Sequence, residues 1–189
     1  MEKQIAQPIF DLAKIRIIVG LGNPGPRYSR TRHNAGFMFL DTLLELYGSN
    51  NSWETRGNAH SATISIPLKE GSLHSITLVK PMMGMNVSGV QIKPFLKNGT
   101  TSEQVLICYD ELEKPFGKNM IRFAGSARGH NGVRSAIEQI GNNFWQLRLG
   151  IDRPAEKADV AEYVLGNFTP SEMHNMQASQ ETALKLLGL

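Results

Sequence analysis

The side chains in this 189-residue chain best suited to chemistry are histidines, asparagines and one aspartate set in glycine-rich turns. The segments read Asn23-Pro-Gly, Arg32-His33-Asn34-Ala-Gly, Gly84-Met85-Asn86-Val-Ser-Gly, Tyr109-Asp110-Glu-Leu and Gly129-His130-Asn131-Gly132. One amide in a turn often serves only the local backbone, but several beside glycines at strand ends are harder to explain that way. Histidine plus a carboxylate, without a nucleophilic side chain, is the inventory for general-base activation of water. Neutral imidazole takes the proton, while the carboxylate fixes its tautomer and stabilises the imidazolium. An amide such as Asn23 can hold a substrate carbonyl and stabilise a developing oxyanion. A general base contributes about 10²–10⁴-fold and an oxyanion donor about 10²–10³-fold. Those factors suit an activated bond such as an ester better than an unassisted peptide bond.

Other chemistries lack their parts. No G-x-S-x-G nucleophile elbow occurs. The histidines (33, 60, 74, 130, 174) include no pair at metal-ligand spacing along the chain, and a single cysteine makes no thiolate cluster, so no metal site is expected. Cys108 sits inside Val105-Leu-Ile-Cys-Tyr109 and reads as a buried strand residue. Gly20-Leu-Gly22-Asn-Pro-Gly25 matches the dinucleotide fingerprint G-x-G-x-x-G, with Asp41 about twenty residues on. Its context argues against a cofactor. Pro24 and Pro26 prolong the loop where a helix N-terminus is needed, and Asp41 falls inside a helical pattern. The glycines instead let the backbone turn sharply and place Asn23 at the edge where the strand ends. No cofactor is expected.

The elements that must position these groups alternate. Arg16–Val19 reads as a buried strand, and Ala35–Tyr47 as a helix with Phe37, Leu40, Leu44 and Tyr47 on one face and Gly48 as its stop. Ser61–Ile66 and Leu73–Val79 flank a hairpin turn at Lys69-Glu70-Gly71-Ser72. Val105–Tyr109, Met120–Phe123 and Leu147–Ile151 are further strands around a helix from Val133 to Ile140, and Asp159–Leu165 and Ser171–Leu187 read as helical. Strands alternating with helices, plus one hairpin, predict a single α/β domain, a mixed β-sheet flanked by helices, over residues 15–189. Residues 1–14 read as an extension, flexible in one reading, that is either ordered, removed or a partner-binding arm.

Composition agrees with a globular chain: 41% hydrophobic and 20% charged residues. The longest apolar runs fall far short of the roughly 18 residues that span a bilayer, and the lone cysteine fits a reducing compartment. The net charge of +3 is unevenly spread: seven Lys/Arg face two acids between Lys114 and Pro154, and the balance reverses towards the C-terminus. A basic middle on a nearly neutral chain points to a local anionic partner, although a solvated basic face gives the same count.

In combination, Ile17-Ile-Val-Gly-Leu-Gly-Asn-Pro-Gly25, Thr31-Arg-His-Asn-Ala-Gly36, Lys80-Pro…Met85-Asn-Val-Ser-Gly89, Asp110-Glu-Leu and Gly125-Ser-Ala-Arg-Gly-His-Asn-Gly132 resemble the bacterial-type peptidyl-tRNA hydrolase family. The likeness runs in order from Arg16 to Phe168, with Gly125–Arg134 most similar to eukaryotic members. It implies a monomeric, metal- and cofactor-free cytoplasmic enzyme, with a mitochondrial location left open. Such an enzyme cleaves the ester between a peptide and the tRNA 3′ end. Position by position, the resemblance implies His33 as general base, Asp110 as its orienting carboxylate and Asn23 as the amide at the scissile bond. Asn86 and Asn131 match amides binding peptide and tRNA terminus, Met85 and His130 line the site, and Tyr28 is the aromatic residue of the first loop. Arg122 and Arg148 match basic positions holding the 5′-phosphate region of the acceptor stem.

Three departures bear on peptide preference: Tyr109 where bacterial members usually carry histidine, the bulkier Ser126-Ala127-Arg128, and Pro81-Met-Met-Gly84. A second function is open on the same fold, an RNA-processing binding protein that works with partners and does not need the hydrolysis.

Overall fold

The computed structural model describes residues 8–68, 70–154, 156 and 159–189. Seven strands form one sheet: β1 (Ile17–Gly20), β2 (Glu54–Arg56), β3 (Ala59–Pro67), β4 (Leu73–Pro81), β5 (Val105–Glu111), β6 (Met120–Phe123) and β7 (Trp145–Gly150). Their order is β2-β3-β4-β1-β5-β7-β6. The centre, β4-β1-β5-β7, is parallel, and β2, β3 and β6 join antiparallel at the two edges. This is the expected mixed sheet.

Side chains alternate along the central strands, and both faces are covered. Ile18, Leu106 and Cys108 enter one core beneath α1 (Ala35–Tyr47) and α6 (Met176–Leu187). Ile17, Val19, Ile107 and Tyr109 enter a second core with Met85, Ile92, Val133 and Ala136, which belong to the 3₁₀ turn Met85–Val87, α2 (Ser88–Ile92) and α3 (Asn131–Ile140). Burial on both faces explains why β1 and β5 read as continuous apolar runs.

Helix α1 has the limits its pattern predicts, Ala35–Tyr47. Its first turn lies directly on the ends of β1 and β5. A Cβ on Gly36 would stand 2.3 Å from the Cys108 carbonyl oxygen, and one on Gly20 2.5 Å from the Gly36 carbonyl. Only glycine permits that approach, and it fixes the height of the preceding turn, Arg32–Asn34, above the sheet. Of the glycines in the apparent dinucleotide fingerprint, Gly20 and Gly22 therefore serve packing, while Gly25, with φ of 102° and open space around it, serves the turn. Asp41, on α1, accepts from Trp53 Nε1 at 2.8 Å and pairs with Lys80.

Several boundaries differ from the sequence reading. The expected helix Asp159–Leu165 appears as α4 (Val160–Leu165), and the expected helix Ser171–Leu187 is broken at Asn175 into α5 (Pro170–His174) and α6. Strand β7 starts at Trp145, because Trp145 and Gln146 pair with Leu106 and Ile107. The hairpin turn includes Lys69, which lies outside the described residues, as do residues 1–7 of the proposed extension. From Phe10 onward the extension touches the rest of the domain. Leu12 is buried in the first core, and Phe10 packs edge-on against Trp145 at 5.0 Å. Two apolar side chains leaving water account for the docking.

Candidate active site

The C-terminal ends of β1 and β5 open onto a cleft of about 1200 Å³, where parallel α/β sheets place their ligands. Asn23, Tyr28, His33, Met85, Asn86, Asp110, His130 and Asn131 all line it. Residues from separate turns and from the end of β5 are thus brought together; Arg122 and Arg148 are not among them.

His33 and His130 share one carboxylate oxygen. His33 Nδ1 lies 2.9 Å, and His130 Nε2 3.0 Å, from Asp110 Oδ1. His130 is also the N-cap of α3, its Nδ1 accepting from the Val133 N–H at 3.3 Å. These bonds assign the protons: His130 carries its own on Nε2, and His33 carries its own on Nδ1. His33 Nε2 is then the imidazole nitrogen without a hydrogen-bond partner among the described residues, so the lone pair able to take a proton from water belongs to His33 and not His130.

The electrostatics follow from the same geometry. Burial alone would raise the Asp110 pKa, but the charges and hydrogen bonds of the two histidines outweigh it and hold the carboxyl well below its usual range. Stability from this group is present above its ordinary value of 3.8 and is lost as pH falls. Burial lowers the His33 pKa, and the Asp110 charge and hydrogen bond raise it more, leaving it above 6.5. Burial pushes the Cys108 thiol up, far from thiolate chemistry, as its strand position predicts.

The chain spacing of the histidines conceals that His33, Asp110 and His130 offer three donor atoms within 4.8 Å of one another. His33 Nδ1 and His130 Nε2 each direct an N–H group at Oδ1, which uses the ligand positions a metal would need. The trio is a hydrogen-bonded relay.

Asn23 is locked from two directions. Its backbone N–H donates to Asn34 Oδ1 at 2.8 Å, and its carbonyl accepts from Asn34 Nδ2 at 2.9 Å. Its side-chain Oδ1 accepts from the Met85 N–H at 3.0 Å, which leaves the amide NH₂ as the donor facing the cleft. Asn34 is a functional residue that sequence reasoning missed, although it stands inside a recognised segment. A second is Glu172. Buried Arg32, next to His33, makes two bonds to it, at 2.8 and 3.3 Å, and stacks on Tyr163. The helical tail thereby fastens the turn that carries the base. No local pattern could reveal a partner 140 residues away.

Met85 is buried, packs on Gly132 and also lines the cleft, so its core and site roles coincide. Asn86 and Asn131 are exposed on the walls. Tyr109 is buried; its hydroxyl donates to Gln146 Oε1 at 2.8 Å, and burial is the main reason its pKa is pushed up to about 12. Its ring supports His130 at 4.9 Å.

The paired-arginine phosphate clamp requires correction. Arg148 is 2% exposed. Its guanidinium bonds Gln146 Oε1 at 2.8 Å and Glu111 at 3.2 Å, inside the sheet. A guanidinium enclosed by protein acceptors has no face left for a phosphate; it ties β7 to β5 instead. Arg122 is half-buried on β6 and lies outside the cleft lining. Arg148→Met is therefore expected to cost about 3 kcal/mol of stability, by leaving Glu111 charged and unpaired, with no selective loss of tRNA binding. Denaturant melts run beside tRNA binding check this. Unchanged stability with weakened binding would restore the clamp.

Fold and site together hold the parts that a water-activating hydrolase needs: a histidine hydrogen-bonded to a carboxylate, an amide in the same cleft, and no serine, threonine or cysteine among the described residues lining it. Comparison with known proteins gives the family. The sequence model described as Peptidyl-tRNA hydrolase matches residues 17–189. The peptidyl-tRNA hydrolase of Fervidobacterium nodosum is 45% identical over 156 residues, covering 82% of this chain and 78% of that protein. That of Aquifex aeolicus is 42% identical over 160 residues, covering 84% and 80%. The crystal structure of peptidyl-tRNA hydrolase from Acinetobacter baumannii superposes with a TM-score of 0.81 at 36% identity, covering 93% of this chain and 90% of that one. The chain belongs to the peptidyl-tRNA hydrolase family.

Proposed function

We propose that this protein hydrolyses the ester joining a peptide to the 3′ end of tRNA, with water activated by His33. The single observation carrying the assignment of the base is the bonding of the two histidines: His130 Nδ1 is occupied by Val133 N–H, while His33 keeps Nε2 open to the cleft. Asp110 is the positioning carboxylate, accepting from both rings at once. As water attacks, His33 takes its proton and becomes an imidazolium held by Asp110, and the Asn23 NH₂ donates to the oxygen of the tetrahedral centre. The proton returns to the departing ribose oxygen, leaving a free peptide carboxylate and a tRNA with its hydroxyl restored.

Asn86 and Asn131 provide amide contacts to peptide and tRNA terminus, and Tyr28 of the first loop lines the same cleft. Met83, Val87 and Leu165, exposed apolar residues of the cleft lining, form an apolar wall for peptide side chains. Arg122 is the member of the former clamp still accessible to an acceptor-stem phosphate. Among the described residues no helix is long and apolar enough to cross a membrane. Purified protein is expected to release peptide from a model peptidyl-tRNA with deacylated tRNA as co-product; binding without release would favour the binding-protein reading.

A further inference from the structure

Among its described lining residues the cleft holds one cation that the mechanism does not use and no acid pairs. Its lining includes two arginines, Arg128 and Arg153, and three acids, Asp110, Glu111 and Glu113. Asp110 is held by the two histidines, Glu111 by Arg148, and Glu113 by Arg153 at 3.0 Å. Arg128 has no acidic partner among the described residues and stands exposed at the mouth.

Its backbone is costly. The His130 N–H donates to the Ala127 carbonyl at 2.8 Å, closing a four-residue turn whose central residues, Arg128 and Gly129, have φ of 47° and 89°. Positive φ at both central positions marks a type I′ turn, which selects glycine, asparagine or aspartate. Arginine there brings its Cβ against the backbone, a strain that glycine would not feel. Strain retained beside a cleft argues for a function performed by the side chain that causes it.

The chemistry of that side chain is specific. A guanidinium offers planar, bidentate donors to a phosphate. In the substrate proposed above, the scissile ester sits on the terminal ribose, and the nearest phosphate is attached to the same ribose through its 5′ oxygen. An arginine two residues from His130, at the mouth of the same cleft, is placed to meet that group as the strand end enters. We propose that Arg128 forms a phosphate subsite at the mouth of the cleft, holding the phosphodiester that precedes the terminal ribose. The proposal rests on the hydrolase reading of this cleft and adds to it the group that registers the strand.

The test uses two esters that differ by one group: an N-acetylaminoacyl ester of adenosine, and the same ester of adenosine 5′-phosphate. Arg128→Gly is expected to lower kcat/KM about tenfold or more on the phosphorylated ester and to leave the unphosphorylated one within about twofold. The same variant should melt roughly 2–4 °C higher, because the turn is relieved. Arg128→Lys, which keeps the charge and the strain but loses the bidentate fork, should retain only part of the preference for phosphate, at the wild-type melting temperature. Equal losses on both esters, no loss on either, or a lower melting temperature for Arg128→Gly would each overturn the subsite. If the wild-type protein cleaves neither these esters nor peptidyl-tRNA, the hydrolase reading falls and takes the subsite with it. If it cleaves peptidyl-tRNA and Arg128→Gly shows the wild-type preference, only the subsite falls.

Discussion

His33→Ala is expected to lower turnover of peptidyl-tRNA by about two to four decades, the contribution of a positioned general base, with substrate affinity comparable to wild type. The ring contributes a lone pair at Nε2 and little of the cleft's contact surface, so its removal should register in kcat and not in KM. Single-turnover rates and tRNA binding, measured on the same preparation, separate the two. His130→Ala should be milder. That ring donates to Asp110 and caps α3, so its loss loosens the relay without removing the base. A more severe effect at His130 would reverse the roles of the two histidines.

Asp110→Asn keeps the shape and removes the charge. The rate plateau should fall by about 10²–10⁴-fold, since an amide NH₂ directed at either ring offers no acceptor and disturbs the tautomer that leaves His33 Nε2 free. The pH dependence should change as well, with a definite sign. In the wild type the base must be neutral, so activity declines as pH falls through the His33 pKa, which lies above 6.5. Without the Asp110 charge the raising contribution disappears and burial remains, so the acid limb should move to lower pH. Activity profiles from pH 5 to 9 would show it. An unmoved limb in a folded Asp110→Asn protein would remove Asp110 from the relay.

Much of this arrangement is legible in the sequence, for physical reasons that vary along the chain. Helix α1 announces itself because thirteen residues carry a clear helical stripe and a glycine stop. β5 does so because both its faces are buried. β2 is invisible, its Glu54-Thr-Arg56 being three exposed polar residues held at the edge only by pairing with β3. α2, at five residues, is too short to show a period.

In the site, each turn could be recognised separately, but not the connections between turns. Nothing near His130 says that its ring reaches the same oxygen as His33. Arg148 shows how charge counting fails. The basic stretch from Lys114 to Pro154 begins just after Glu111, the acid that neutralises Arg148 across the sheet. Sequence gives the sign of a side chain; pairing decides whether that charge is available to a ligand.

The central claim is that His33, and not His130, exchanges a proton with water as the ester breaks. It is tested most directly by following the two imidazoles by NMR across the pH range of the kcat/KM profile. The expected result is that the His33 resonances titrate with the acid limb of activity, at a midpoint above 6.5, and that Asp110→Asn moves both together. An activity limb that tracks His130, or neither ring, would contradict the account.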